Sequence, residues 1–166
     1  MSSLQPREIE FAESAPVRIE GSATLDATPA EVWEVLLDYE AWPSWFPGLH
    51  SCRATSVPAT GVGSTRTVTL AKGRSVVEER FIAWEDERLW AFTATAFSPA
   101  PFRSLVERVT IDPVDESSTT VTYRMALDPK PVLRPVVPLL KAGVSRNLSA
   151  ALVGLGREVV RRRPPA

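Results

Sequence analysis

The sequence has little of what disulfide-linked and metal-binding proteins depend on. It contains one cysteine, Cys52, and one histidine, His50, in 166 residues. A single cysteine excludes an intrachain disulfide and any multi-cysteine zinc site, and a single histidine excludes a histidine-rich metal site. We therefore expect no metal and no cofactor.

A surplus of one charge sign is also absent, since 19 lysines and arginines face 20 aspartates and glutamates. This balance argues against a basic face for nucleic acid. No uninterrupted apolar run approaches the roughly 18 residues that cross a bilayer, because arginine and proline interrupt the best candidate, 132–140. The N-terminus lacks a basic segment followed by an apolar one. We expect a cytoplasmic protein, monomeric or weakly dimeric, without stable membrane insertion or a nucleic-acid partner.

The length and composition suit one globular domain, with 44 % apolar and 23 % charged residues. The polar, mixed residues 1–15 are interpreted as a flexible N-terminal arm, and residues 16–163 as a single domain. Residues 161–163 are three arginines, which leave two interpretations: a signal for an anionic partner, or a solvated helix end whose cations favour the helix C-terminus. The second is preferred.

The domain begins with a strand and a helix. Apolar and polar residues alternate over 17–26, which indicates a half-buried strand. Thr28-Pro29-Ala30-Glu31 has the pattern of a capping box with proline at the first helical position, so we expect a helix that ends near Asp38. The aromatic segment 39–49 is interrupted by two prolines and allows at most a second short helix.

The middle of the chain reads as strands separated by turns, and the short connections predict antiparallel neighbours. The predicted strands are 50–57, 64–71, 74–84, 88–97, 103–112 and 118–128. Both faces of 74–84 and 88–97 carry bulky residues, so their inward faces stay unassigned. The last two strands have one clear apolar face, formed by Leu105, Val109, Ile111, Val121, Tyr123, Met125 and Leu127.

A proline-rich stretch, 129–138, leads into a long helix predicted over about 136–162. Its apolar stripe has helical spacing and consists of Leu140, Val144, Leu148, Ala151, Leu152, Leu155 and Val159.

Several local motifs carry a family resemblance. They are Ala27-Thr28-Pro29-Ala30-Glu31-Val32-Trp33, Asp38 with Trp42-Pro43 and Trp45, Pro47-Gly48-Leu49, and Trp84-Glu85-Asp86-Glu87-Arg88-Leu89. With the order strand, two short helices, six strands and long helix, residues 17–160 resemble the START-like, helix-grip (SRPBCC) superfamily. That superfamily includes Bet v 1 allergens, polyketide cyclase/dehydrase-type proteins and ubiquinone-binding lipid carriers. The chain looks most like the cyclase/dehydrase-type group, from which its proline-rich approach to the last helix departs.

The resemblance implies an α+β fold: a curved seven-stranded antiparallel sheet wrapped around the C-terminal helix, with two short helices between the first two strands. One helix cannot fill the whole concave side of such a sheet at the usual packing density, so we expect an internal cavity. The expected ligand-binding residues are Phe46, Leu105, Glu107, Val109, Tyr123, Met125, Val144, Asn147, Leu148 and Ala151.

Glu107 and Tyr123 are the candidate catalytic residues. Glu107 lies on an apolar strand face, where it would orient a ligand or act as a general acid or base. Its alternatives are a salt bridge to an arginine such as Arg80, or a bulge that turns it outward. Tyr123 offers one polar group on an apolar wall, or is a core tyrosine. Asn147 presents its amide to the cavity, bonds to the sheet, or lies in water at the edge of the stripe.

Three functional hypotheses follow. The first is binding of a hydrophobic small molecule, such as a lipid, isoprenoid or aromatic polyketide. The second, which the resemblance permits, is a cofactor-free polyketide cyclase or aromatase with Glu107 as acid/base and Tyr123 as donor. The third is an accessory protein-interaction role, which predicts an exposed apolar patch over about 132–140.

Overall fold

The structure is a computed structural model that describes residues 1–164. Its strands are β1 (Ser2–Ser3), β2 (Val17–Leu25), β3 (Leu49–Ala54), β4 (Thr65–Leu70), β5 (Ser75–Glu85), β6 (Leu89–Ser98), β7 (Phe102–Pro113) and β8 (Thr119–Pro129). Its helices are α1 (Phe11–Ser14), α2 (Pro29–Leu37), α3 (Trp42–Trp45) and α4 (Val137–Arg162), with 3₁₀ turns at Tyr39–Ala41, Ala71–Gly73 and Pro131–Val136.

The seven longer strands form one antiparallel sheet in the order β2-β8-β7-β6-β5-β4-β3. The sheet curls into a half-barrel, and α4 crosses its concave face, packed chiefly on β2 and touching α2, α3 and β8. The predicted helix-grip architecture is confirmed. The inward sides of the strands and the inner stripe of α4 form the main core.

Helix α2 begins at the predicted capping box. The Thr28 hydroxyl accepts a hydrogen bond from the Glu31 backbone N–H at 3.3 Å, and the Glu31 carboxylate accepts one from the Thr28 N–H at 2.8 Å. Together these bonds satisfy N–H groups that a helix start otherwise leaves without a partner. Trp42 then donates its indole N–H to the carbonyl of Leu36 at 2.9 Å, which holds α3 against the end of α2.

Glycines let the second half of α4 lie close to its neighbours. A Cβ at Gly154 would lie 2.2 Å from the carbonyl oxygen of Trp45, and one at Gly21 on β2 would lie 3.2 Å from Leu148 Cβ. By contrast, a Cβ at Gly143, in the first half of α4, would have no neighbour within 4 Å. The helix is therefore tightly packed from its middle onward and open near its start.

The arginines at the end of α4 are not simply a solvated helix terminus. Arg162 forms ion pairs with Asp38 at 2.8 Å and with Glu158 at 2.9 Å, and Arg163 pairs with Glu31 at 2.8 Å. The interpretation of residues 161–163 as a solvated helix end is therefore incomplete, because Arg162 and Arg163 also have acidic partners outside the last turn of α4. In the fold the acidic residues of α2 and its C-terminal end lie beside these arginines and tie α4 to α2.

The prediction of a flexible N-terminal arm is wrong for most of residues 1–15. Strand β1 pairs with β6, Leu4 is buried, and the backbone N–H of Arg7 donates to Thr93 Oγ1 at 3.0 Å. The pairing between β6 and β7 stops at Thr93 and Val106, so beyond this point the two strands leave backbone groups that the arm can bond. Further along the arm, the fully buried Ala12 packs on the convex side of the sheet.

By length and composition alone, Pro131–Arg162 could cross a bilayer. In this fold its second half packs in the core, since Leu148, Leu152, Leu155 and Val159 are buried against the sheet and α2. Its outward side remains exposed.

Candidate ligand-binding site

A cavity of about 230 Å³ lies between the concave face of the sheet and the first half of α4. Its lining is mostly apolar and aromatic, with one arginine, two glutamates, a tyrosine and an asparagine. The lining residues are Trp42, Phe46, Leu49, Arg66, Val68, Leu70, Val77, Glu79, Phe97, Phe102, Leu105, Glu107, Tyr123, Met125, Val144, Asn147 and Leu148. Partly exposed members such as Leu70, Val144 and Asn147 mark the side that faces solvent.

The structure brings most of the predicted ligand-binding residues to this cavity. Those that line it are Phe46, Leu105, Glu107, Tyr123, Met125, Val144, Asn147 and Leu148. Val109 and Ala151 do not. Val109 is fully buried between its strand partners Trp90 and Tyr123, and Ala151 lies where α4 is already packed against its neighbours. Periodicity identifies an inward face but not how far along that face the cavity extends.

Glu107 and Tyr123 form a buried pair on β7 and β8. The Tyr123 hydroxyl donates a hydrogen bond to the Glu107 carboxylate. The strands are adjacent, with Glu107 opposite Met125 and Val109 opposite Tyr123, so the two side chains are diagonal neighbours on the inward face. The predicted alternatives for Glu107, an outward bulge or a salt bridge to Arg80, are both wrong, because Glu107 is buried and Arg80 is exposed.

Arg66 and Glu79 form a second buried pair, and neither residue was predicted from the sequence. The two residues are directly opposite on β4 and β5, and Arg66 Nε donates to Glu79 Oε2 at 2.6 Å. A signal was available, since Arg66 shares a strand face with Val68 and Leu70. Glu79 likewise shares a face with Val77 and Phe81 on β5. Charged residues in those positions obscured the inward faces that hydrophobic alternation would identify.

The Arg66 guanidinium is enclosed by aromatic rings. Its Cζ lies 4.5 Å from the ring centroid of Trp42 and 5.0 Å from that of Phe92. Tyr39, Phe81 and Trp90 lie at 5.1 to 5.2 Å. Such ring faces attract a cation and replace part of its lost hydration. Within residues 1–164, the buried Nη1 of Arg66 has no hydrogen-bond partner, so one donor of this cation is free at the cavity wall.

The charge balance of the two pairs sets the protonation of Glu107. Burial raises the pKa of Glu107 to about 8, and the negative charge of Glu79 adds to the rise. The hydrogen bond from Tyr123 and the positive charge of Arg66 lower the same pKa by less. Burial alone would lower the pKa of Arg66, yet Glu79 beside it keeps that pKa above its ordinary value. Arg66 thus supplies one positive charge, already paired with Glu79, for two carboxyl groups. Glu107 is consequently protonated at neutral pH.

Tyr123 also remains protonated. Burial and then the Glu107 carboxyl raise the pKa of its phenol well above the ordinary value. The polar end of the cavity therefore holds a neutral carboxylic acid, a neutral phenol and a paired arginine. The neutral Glu107 carboxyl and the Nη1 of Arg66 can donate hydrogen bonds to an oxygen atom, and an ionised Glu107 can accept a proton.

Of the other polar side chains considered, Asn147 lines the cavity, whereas His50 and Cys52 do not. Asn147 lines the cavity, and its side chain makes no hydrogen bond with any described residue. His50 is exposed on β3 and does not line the cavity. Burial raises the pKa of the Cys52 thiol to about 11, so Cys52 is an unreactive core residue at neutral pH.

The family follows from comparison with known proteins. Residues 16–160 match the model of the family described as polyketide cyclase/dehydrase and lipid transport. The chain belongs to this family. It is 29 % identical over 143 residues to an uncharacterized protein of Mycobacterium tuberculosis, covering 84 % of this chain and 85 % of the relative.

Solved structures of other proteins share this fold. A START superfamily protein from Mycobacterium smegmatis superimposes with a TM-score of 0.73 at 15 % identity, over 88 % of this chain and 99 % of that one. The Zhui aromatase/cyclase from Streptomyces sp. R1128 gives a TM-score of 0.73 at 18 % identity, over 88 % and 94 %. The chain therefore shares its fold with a START superfamily protein and with an aromatase/cyclase.

Proposed function

We propose that the protein binds a small, largely apolar molecule that carries a carbonyl or hydroxyl oxygen, in the cavity between the sheet and α4. The observation that carries this proposal is the cluster of buried polar groups, Arg66, Glu107 and Tyr123, in the wall of a mostly apolar cavity. There the buried Nη1 of Arg66 lacks a partner, and Glu107 holds a proton it can donate. A buried donor without an acceptor is costly, so a ligand oxygen at this end gains affinity.

The volume narrows the ligand class. At about 230 Å³ the cavity is smaller than the roughly 300–1,000 Å³ of ordinary small-molecule pockets. A compound of one or two fused rings, or a short isoprenoid, fits this space better than a diacyl lipid. Aromatic rings at Trp42, Phe46 and Tyr123 favour a flat aromatic guest.

A pair of probes that differ only in oxygen tests the proposal. We expect 2-acetylnaphthalene to bind about tenfold more tightly than 2-ethylnaphthalene, since only the ketone accepts a hydrogen bond from Arg66 or Glu107. Isothermal titration calorimetry measures both affinities. Val144→Trp should abolish binding of both by filling the cavity, whereas Val153→Trp, on the exposed side of the same helix, should not. Equal affinities, or an unaffected Val144→Trp variant, would contradict the proposal.

A second function, cofactor-free acid/base catalysis, is favoured by the Glu107–Tyr123 pair. A carboxyl group with a pKa of about 8 is suited to exchanging protons near neutral pH. In this reaction the Glu107 carboxylate removes a proton from the carbon next to a bound carbonyl. The electron pair moves to the carbonyl oxygen, and Arg66 stabilises the resulting enolate. The proton then returns from Glu107 to the carbon.

Deuterium exchange tests this second function. In D₂O, NMR should show the acetyl methyl protons of 2-acetylnaphthalene being replaced faster with the protein than without it. The rate should increase with pH until about pH 8, where Glu107 ionises. Glu107→Gln should eliminate the acceleration while the ketone still binds. An acceleration that persists in Glu107→Gln removes Glu107 from this role and leaves the binding function standing.

A further inference from the structure

The outward side of α4 is apolar where a solvated helix would be polar. Here "outer stripe" denotes Leu139, Ala142, Arg146, Ala150, Val153 and Arg157, which recur every three or four residues and are all exposed. The opposite side of the helix holds the buried core residues. A helix that is apolar on both sides is expected to be covered on both, yet 72 % of Leu139 and 52 % of Val153 are exposed.

The 3₁₀ turn before the helix extends this surface. Within Pro131–Val136, the side chain of Val132 is 79 % exposed and that of Val136 is 48 % exposed. This agrees with the exposed apolar patch that the sequence suggested over 132–140. Because the turn leads directly into α4, its exposed valines continue the exposed apolar residues of the outer stripe along the chain.

The chain segment that carries most of this surface has charges of one sign. No acidic residue occurs between Asp128 and Glu158, whereas Lys130, Arg134, Lys141, Arg146 and Arg157 are all cations. None of these five forms an ion pair with any of residues 1–164. In a chain with a net charge of −1, this segment is a distinct cationic region.

The surface adjoins the open side of the cavity. Val144 and Asn147, which lie on the same turns of α4 as the outer stripe, line the cavity and are partly exposed. Whatever covers the outer stripe therefore lies close to the route by which an apolar molecule reaches the cavity.

We propose that the outer stripe and the 3₁₀ turn dock the protein peripherally on an anionic membrane surface. Apolar side chains interspersed with lysine and arginine, without acidic residues, are the composition of helices that lie in the interface of such a membrane. The long cationic side chains reach the lipid phosphates while Val132, Val136 and Leu139 enter the apolar boundary. Each cation near the surface strengthens binding by roughly fivefold.

A second copy of the chain is a poorer occupant. In a symmetric dimer the same patch would face itself, so Arg134, Arg146 and Arg157 would oppose their own copies, with no acidic residue between Asp128 and Glu158 to pair with. Like charges placed opposite one another disfavour association. An anionic lipid surface complements both the charge and the apolar character.

Vesicle co-sedimentation tests the proposal. The full chain should pellet with vesicles of equal parts phosphatidylglycerol and phosphatidylcholine, but not with pure phosphatidylcholine, and added salt should weaken the binding. Val136→Glu/Leu139→Glu should abolish it, and Arg146→Gln/Arg157→Gln should weaken it more than tenfold. The matched control is Val114→Glu. Val114 is 60 % exposed and follows the C-terminal end of β7, whereas the 3₁₀ turn lies near the other end of that strand. This variant should bind like the native chain.

Three results would overturn the proposal: no binding to anionic vesicles, equal binding to both vesicle types, or native binding by Val136→Glu/Leu139→Glu. A dimer in sedimentation equilibrium that dissociates on Leu139→Glu would assign the surface to self-association instead. The substituted positions are exposed, so unchanged melting temperatures establish that the variants are folded. Ketone binding in solution should be the same in the native chain and in Leu139→Glu, so failure of membrane docking and failure of the cavity function are separate outcomes.

Discussion

Arg66 on β4 and Glu79 on β5 are cross-strand partners whose side chains meet at 2.6 Å inside the core, at the wall of the cavity. Both are buried. Removing a charge from water costs free energy, so either side chain would strongly destabilise the core if its partner were absent. This relationship fixes the charge state of the whole polar end of the cavity.

Removing only the cation should therefore destabilise the fold strongly. We expect Arg66→Met to lower the free energy of unfolding by about 3–5 kcal/mol, because Glu79 is left buried without a partner. Arg66→Met/Glu79→Leu should recover most of that loss. Urea denaturation at pH 7 measures both, with Arg80→Met, at an exposed arginine on the same sheet, as the control. If the double variant is no more stable than the single one, the pair is not an energetic unit.

The raised pKa of Glu107 predicts a dependence of stability on pH. The folded protein holds this proton up to about pH 8, whereas the ordinary carboxyl value is 4.5. Between these two values the folded state binds the extra proton, so stability decreases by about 1.4 kcal/mol per pH unit as pH rises. Glu107→Gln should remove this slope, and should match the native chain near pH 5 and exceed its stability near pH 8.

Melting temperatures measured from pH 5 to pH 8 check this expectation. The control is Glu78→Gln, since Glu78 is an exposed neighbour on β5; it should keep the native slope. A Glu107→Gln variant with an unchanged slope would show that another group causes the pH dependence.

The glycines of α4 give a prediction with opposite signs at two sites. Gly154→Ala should destabilise by about 1–3 kcal/mol, because its methyl group would overlap the Trp45 carbonyl oxygen at 2.2 Å. Gly143→Ala should stabilise by up to about 1 kcal/mol, because a methyl group there meets open space and alanine favours the helix. Chemical denaturation of the two variants measures the difference, and changes of the same sign would contradict the packing described for α4.

The N-terminal arm should contribute measurable stability. Leu4→Ala removes a side chain that is only 6 % exposed, and should cost about 2–3 kcal/mol. Met1→Ala, at a position that is 59 % exposed, should cost little. Hydrogen exchange provides a second measurement, since the Leu4 N–H donates to the Thr95 carbonyl at 2.9 Å. A Leu4 amide that exchanges as fast as an unfolded one would contradict the docked arm.

The sequence predicted the fold well where one physical signal dominated. The capping box at Thr28 and the alternation around Val109 and Tyr123 located α2, β7 and β8 within a few residues. From these, the inward position of Glu107 followed correctly. The order of elements carried the family resemblance, which the family model over 16–160 confirms.

The parts that could not be predicted depend on contacts between distant segments. Arg66 and Glu79 each look out of place on an apolar face, and only the pairing of β4 with β5 shows that they neutralise one another. The arm at Leu4 has no periodic pattern, and it is ordered because β6 and β7 diverge where it docks. Val109 lies on the predicted inward face, but it is buried in the core and does not line the cavity.

The unequal packing of α4 separates two kinds of sequence change. From Leu148 onward the helix meets backbone and glycine at close range, so replacements there act on whether the chain folds at all. Near Gly143 and Val144 the same helix borders empty volume, so replacements there can alter the size and shape of the cavity at small thermodynamic cost. The shape of the cavity can thus change through the turn of α4 that holds Val144 and Asn147 while the rest of the scaffold stays constant.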